Sequence, residues 1–415
     1  MKSENLNLIT IADLVKEGAI VEIQDGNHGE KHPKTSDYVD DGVPFIMANN
    51  IAGNRVDIDG AQKIPLVLAD SLRIGFAKTG DVLLTHKGTI GSTAIVDTTL
   101  PYLMLTPQVT YYRTNPEKLR NRYLMYAFRE ELFQKTIISL AQQATRPYIG
   151  ITAQRRLKIR WKPIDQQDRV VEILSAYDDL IENNRRRIQL LEQAVRLLYK
   201  EWFVHLRFPG HEHTQIINGV PEGWEKKRIA KVSETIGGGT PSTKVSEYWD
   251  GDITWVVPSD ITKNNSLVLL KSERKITEKG LRESSAKMVP AETILMTSRA
   301  SVGFFALMNN EVCTNQGFIN IIPHDGYSRM YLLFNLLSRV NEIRSNAKGT
   351  TYPEISKGRL REMDIIIPSK TLMEQFEEIV YDVIRQVRCL MQSNMNLTKA
   401  RDLLLPKLMN GEVAV

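Results

Sequence analysis

Residues 165–202 read DQQDRVVEILSAYDDLIENNRRRIQLLEQAVRLLYKEW, and the spacing of their apolar side chains organises the rest of the chain. Val170, Leu174, Tyr177, Ile181, Ile188, Leu191, Val195, Leu198 and Trp202 follow one another in steps of four and three, with Asn184 in the one seat that is not apolar. A helix with such a seam winds against a partner helix, so the stretch predicts one strand of a coiled coil. A partner lies in the same chain, where Phe376, Val383, Leu390, Leu397 and Leu404 fall every seventh residue. Asp165 is placed to cap the first helix, and Thr371 with Glu374 forms a capping box for the second, which Pro406 should end. A polar residue in an apolar seam lowers stability and fixes register, and Gln386 or Ser393 is the expected partner of Asn184.

Each helix follows a large mixed segment, and the two segments repeat one another. Setting Gly91 on Gly303 gives an offset of 303 − 91 = 212 residues, which lays Thr85-His-Lys87 on Thr297-Ser-Arg299 and Ile90-Gly91 on Val302-Gly303. Further along, Thr106-Pro-Gln108 resembles Thr314-Asn-Gln316, Thr145-Arg-Pro-Tyr148 answers Thr350-Thr-Tyr-Pro353, and Pro163 answers Pro368. Strands are predicted at 81–85, 93–96, 109–112, 253–257, 293–297, 304–307, 318–322 and 364–367, with helical segments at 116–140 and 327–343. The fold class is α+β: two mixed α/β domains separated by two long antiparallel coiled-coil helices, with an internal pseudo-twofold repeat. The boundaries are 1–163 for the first domain, 164–207 for the first helix, 208–222 for a Pro- and Gly-rich linker, 223–368 for the second domain, and 369–415 for the second helix and tail.

Across 415 residues, Lys+Arg 54 against Asp+Glu 49 leaves a charge of +5, mildly basic and compatible with an anionic partner. Only Cys313 and Cys389 are present, which excludes a disulfide framework and suits a reducing cytoplasm. The first residues lack the apolar core of a signal peptide, and no run approaches the ~18 apolar residues of a membrane span. Catalytic signatures are missing. Gly237-Gly-Gly-Thr-Pro-Ser-Thr-Lys244 has the wrong spacing for a phosphate-binding loop and does not complete G-x-G-x-x-G, and no G-x-S-x-G elbow occurs. His211-Glu-His213 is a linker pair without the i, i+4 histidines of a zinc helix.

Each half instead carries a polar, basic loop. Asn27, His28, Lys31, His32 and Lys34 crowd one; Thr240, Ser242 and Lys244, leading to Tyr248-Trp249, mark the other. Amides, imidazoles and lysines can contact base edges and phosphates together, although either stretch alone more often reads as a solvated loop. Lys87 and Arg299 each end a strand, either reaching a groove or resting on the surface. Arg146, Tyr148, Thr350 and Tyr352 sit where the chain returns to the coiled coil, as contacts or as caps on the domain cores. Arg185-Arg-Arg187 is a solvated helix face or a phosphate contact.

Taken in order, Pro221-Glu-Gly-Trp224, Gly237-Gly-Gly-Thr-Pro-Ser242, Tyr248-Trp-Asp-Gly-Asp-Ile253, Thr314-Asn-Gln-Gly-Phe318 and the ending Leu403-Leu-Leu-Pro-Lys-Leu-Met-Asn-Gly-Glu412 resemble the specificity subunit of a type I restriction–modification enzyme. The first half departs from that pattern, with Asp25-Gly-Asn-His-Gly29 in place of the Gly-rich turn and no Pro-x-Gly-Trp opening. The resemblance implies a non-catalytic, cytoplasmic subunit that binds double-stranded DNA at a bipartite, asymmetric target, one half-site per domain. It implies two modification subunits that use S-adenosylmethionine to methylate adenine, and restriction subunits that use ATP and Mg. No cofactor or metal is expected on this chain, and no membrane partner. A coiled-coil scaffold for proteins and an enzyme with an unrecognised site are the competing readings. The first predicts no salt-sensitive DNA affinity, the second methyl transfer or cleavage by the chain alone.

Overall fold

The computed structural model describes residues 7–29, 31–142, 147–349 and 353–413. The chain divides into two compact units, Met1–Leu180 with Leu397–Val415, and Ile181–Asn396.

In the first unit an antiparallel sheet runs in the order Ile20–Asp25, Val109–Thr114, Val82–Thr85, Thr93–Ile95. A second sheet runs Gln62–Ile64, Val43–Ile46, Leu103–Leu105, Phe76–Ala77, and its central pair is parallel. Val82-Leu83-Leu84 reads as an unbroken apolar run because both faces of the strand are covered. Val82 and Leu84 join the core built with Tyr123, Leu124 and Phe128, whereas Leu83 joins a separate core with Ile46, Leu105 and Tyr111. The single helix expected at 116–140 is two, Asn121–Arg129 and Glu131–Gln142. Glu130 leaves helical geometry with ψ 139°, and its buried carboxylate pairs with Arg160.

The second unit repeats this plan strand for strand. Its antiparallel sheet runs Ser233–Gly237, Phe318–Pro323, Ile294–Thr297, Phe305–Ala306; the second sheet runs Lys275–Ile276, Trp249–Val256, Val312–Thr314, Met288–Val289, again with a parallel centre. Ile294 and Met296 face one core and Leu295 another, as in the first unit. The 327–343 segment also splits, into Arg329–Ser338 and Val340–Ser345. The segment expected as a plain linker carries a turn at His211–His213 and a small hairpin, Ile216–Ile217 with Val220–Pro221. Phe208 anchors it on Trp224, with ring centroids 5.2 Å apart.

The long helices are Ile164–Tyr199 and Lys370–Asn410, and each supplies residues to both units. Within the first unit, Val170 and Leu174 share a core with Leu405, Leu408 and Met409. Within the second, Asn184 Nδ2 donates to Asn394 Oδ1 at 2.9 Å, and the Tyr199 and Phe376 rings lie 6.0 Å apart. Within the second unit the partners run in opposite chain order, so the pairing there is antiparallel.

Four details differ from the sequence reading. Asn394, not Gln386 or Ser393, faces Asn184. The deeply buried row of the second helix is Val380, Val387, Arg401 and Leu408 together with Phe376, while Val383, Leu390, Leu397 and Leu404 are half-buried flanks. On the first helix Val170, Leu174, Ile181, Asn184, Ile188 and Val195 are buried, with Tyr177, Leu191 and Leu198 half-buried. Neither proposed cap closes a helix end: Asp165 and Thr371 already lie inside the first turns, and Ser369 Oγ accepts from Leu372 N at 3.4 Å. Pro406 does not end the second helix, because burial of Leu405, Leu408 and Met409 outweighs one missing backbone donor. No helix among the described residues is long and apolar enough to cross a membrane.

Candidate nucleic-acid interface

In the first unit the polar, basic loop leaves the strand Ile20–Asp25 at Gly26. A Cβ there would lie 2.0 Å from the Thr106 carbonyl oxygen, so only glycine fits. At the same place in the second unit, a Cβ on Gly238 would lie 1.9 Å from the Asn315 oxygen. The neighbouring amides match too: Asn27 N donates to Leu105 O at 2.7 Å and Gly239 N to Thr314 O at 2.9 Å. Leu105 therefore corresponds to Thr314, and the local offset is 314 − 105 = 209. The motif Thr106-Pro-Gln108 answers Asn315-Gln-Gly317, one residue on from the sequence alignment, because the loop lengths between the strands differ.

The loop residues divide by exposure. His28, Lys31 and Lys34 are exposed and His32 is half-buried, but Asn27 is only 5% exposed, its amide turned away from solvent. His28 Nδ1 donates to Gly26 O at 3.0 Å and His32 Nδ1 to Asn27 O at 3.2 Å. Below the loop lies a residue that the sequence reading left without a role. His86 is 1% exposed, its ring 5.3 Å from that of Tyr148 and its Nε2 3.6 Å from Asp25 Oδ1. Burial, helped by Lys87 and His28, pushes this imidazole below its usual range against the pull of Asp25. Thr110 Oγ1 donates to the same Asp25 carboxylate, and Gln154 Nε2 donates to Thr110 Oγ1 at 2.9 Å. The only advance signal for His86 was its place between a buried strand and a lysine.

Lys87 is exposed at the end of that strand and bridges to Tyr148, with Ile149 N donating to His86 O at 3.2 Å. Loop, Lys87 and Tyr148 thus share one edge of the first unit. In the second, Arg299 bridges to Glu354, with Ile355 N donating to Ser298 O at 3.0 Å. Tyr148 therefore corresponds to Glu354 and Pro147 to Pro353, a register the sequence alignment missed by one residue. The consequence is chemical: Arg299 Nε lies 3.7 Å from a Glu354 carboxylate oxygen, whereas Lys87 has a phenol at the matching position. Thr240 is half-buried and its hydroxyl donates to Gln316, while Ser242 and Lys244 are exposed. Arg146, Thr350 and Tyr352 lie outside the described residues.

The arrangement offers donors, acceptors and cations on an exposed edge rather than an activated nucleophile. Burial pushes the Cys313 thiol up to about 11, and its Sγ rests 3.3 Å from Met288 Sδ. Among the described residues no cluster of His, Cys, Asp or Glu could hold a metal ion.

A duplicated α+β fold with two such edges defines a class of paired recognition domains joined by helices. A family model described as the type I restriction modification DNA specificity domain matches residues 14–193 and again 221–388, and the chain belongs to that family. Its members are non-catalytic DNA-recognition subunits of type I restriction–modification systems. Over 192 residues the chain is 37% identical to the type I restriction enzyme MjaIX specificity subunit of Methanocaldococcus jannaschii, an alignment that takes in 44% of each protein. Over 442 aligned positions it is 24% identical to the type I restriction enzyme HindI specificity subunit of Haemophilus influenzae, covering 89% of this chain and 94% of the other. The crystal structure of the type I restriction–modification S subunit from M. genitalium shares the fold, with a TM-score of 0.53 at 16% identity over 98% of each chain.

Proposed function

We propose that the chain reads a bipartite, asymmetric DNA target, one half-site with each half, and directs adenine methylation and restriction by partner subunits. The observation that carries this is one architecture built twice with unlike loops. The same glycine pivot, at Gly26 and at Gly238, leads into Asn27-His-Gly29 in one half and Gly239-Thr-Pro-Ser242 in the other. Equal scaffolds with unequal reading surfaces suit unequal half-sites. Exposed Lys31, Lys34, Lys87 and Lys244 would hold phosphates while His28 and Ser242 approach base edges.

Two modification subunits and the restriction subunits would supply S-adenosylmethionine, ATP and Mg chemistry; this chain would supply the address. The unread gap would be set by the helices, whose 36 and 41 residues correspond to about 54 and 62 Å, against half-sites that recur every ~34–36 Å along one face of B-DNA. Co-expression with a cognate modification subunit, followed by genome-wide mapping of methylated adenines, tests the reading. A split motif methylated only when this chain is present supports it; methylation indifferent to its deletion overturns it. Adding one heptad to both helices should change the gap and preserve both half-sites, and changed half-sites with an unchanged gap would refute the role of the helices.

A further inference from the structure

The reading loops of the two halves are tied down at one corresponding backbone carbonyl, by different chemistry. In the second unit Gly239 is buried, and its carbonyl accepts from Trp255 Nε1 at 2.9 Å. Trp255 is 2% exposed and stands on the strand Trp249–Val256, paired in parallel with Cys313. Trp249 packs on it edge to face, with centroids 5.0 Å apart at 82°, and sends its own Nε1 to the Ser242 carbonyl at 3.2 Å. Two indole N–H groups thus hold the chain on both sides of Thr240.

In the first unit the matching carbonyl belongs to Asn27, whose amide makes the same bond to Leu105 that Gly239 makes to Thr314. The place of Trp255 is taken by Phe45, paired in parallel with Met104, and phenylalanine has no donor. His32 supplies it instead: its ring lies against Phe45 with centroids 5.6 Å apart, and its Nδ1 donates to Asn27 O at 3.2 Å. A buried carbonyl left without a donor is costly, so losing either group should let its loop move. One loop is fastened to the sheet, the other closes on itself five residues along.

We propose that Trp255 and the His32–Phe45 pair are the positioning residues that set base discrimination, each for the half-site its own loop reads. The proposal rests on the DNA-reading role given above. The test uses the full chain with its modification subunit and duplexes carrying the mapped split motif, altered in one half-site at a time. Trp255→Phe keeps the ring and deletes the N–H. It should cut discrimination about ten-fold at one half-site and leave the other within about two-fold, with unchanged thermal unfolding of the first unit. His32→Phe should do the same at the opposite half-site. Phe45→Trp in the His32→Phe background should restore it, because it brings an indole N–H to the Asn27 carbonyl.

Equal losses at both half-sites, or no rescue by Phe45→Trp, overturn the proposal. Lys34→Ala and Lys244→Ala separate the two levels of failure. If these loop variants weaken DNA binding while the Trp255 and His32 variants change nothing, the tethers are refuted and the loops remain readers. If all four variants are silent, the reading of DNA by these loops falls as well.

Discussion

Replacing Asn184 and Asn394 together by leucine should raise the stability of the second unit. Asn184 is 4% exposed, flanked along its helix by Ile181 and Ile188, and its partner Asn394 is half-buried. Burying one leucine stabilises by about 1.5–3 kcal/mol, and the half-buried second site adds roughly half as much. Against this stands the lost Asn–Asn hydrogen bond, about 1 kcal/mol net. The double variant should therefore gain about 1–3.5 kcal/mol, a rise in Tm of about 2–14 °C for a unit of this size. Asn184→Leu alone leaves the Asn394 amide facing an apolar side chain, at a cost of about 1–3 kcal/mol that cancels most of its gain. It should stay within about 1 kcal/mol of the parent. A double-mutant cycle by scanning calorimetry, resolving the transitions of the two units, measures this coupling. In the same variant, mapped methylation should scatter over targets with unequal gaps, because the layer that fixes register is gone. A double variant that melts below the parent, or two single variants that each deliver the full gain, would refute the reasoning.

His86 should make the first unit acid-sensitive. Its folded pKa is depressed below the ~6.5 of the unfolded chain, so its contribution is fully present above that pH and is lost as pH falls through the lower folded value, by at most about 1.4 kcal/mol per unit. Urea melts between about pH 5 and 8 should show that slope in the parent and a flatter one in His86→Gln; parallel curves would count against it. Arg401, 8% exposed, pairs with Asp178, which also accepts from Tyr126 Oη at 2.7 Å. Asp178→Ala should cost about 3 kcal/mol, the low end for a buried pair because Asp402 still holds Arg401 at 2.8 Å, and a further Arg401→Met should recover most of it in thermal melts. Ala300 sits at φ 61° where the corresponding Gly88 has φ 82°, so Ala300→Gly should stabilise by about 1 kcal/mol and Gly88→Ala should cost as much, read from Tm.

The architecture was open to sequence reasoning because its signals are additive. Ten seats in steps of four and three mark the first helix whatever any one of them contributes, and the Gly91–Gly303 register carries the duplication. The second helix was half legible: its seventh-residue row of leucines is the flank, and the buried row was hidden because Asn394 and Arg401 interrupt it with polar side chains. Arg401 is tolerated there only because Asp178 and Asp402 neutralise it, which no spacing rule foresees. Pro406 misled for a related reason, since a local rule met a tertiary core. At the candidate interface, residue types singled out the polar loops but did not reveal exposure within them. Asn27 looked like a base-reading amide and is buried, while His86, a bystander in the alignment, lies beneath the loop. One-residue slips at Thr106 and Tyr148 came from loops whose lengths drift, and only the hydrogen bonds to Leu105, Thr314, His86 and Ser298 fix the correspondence.

The first unit is assembled from two stretches that the whole second unit separates in sequence: Leu405, Leu408 and Met409 share a core with Ile11, Leu14 and Val170. On the ribosome the earlier of these stretches must therefore wait for the later one before its core is complete. The second unit, continuous from Ile181 to Asn396, can close while the tail is still in the exit tunnel. Until Leu405, Leu408 and Met409 emerge, the first unit lacks part of its core. A chain cut short before Leu405 would hold every residue of the second unit and leave the first without these members of its core.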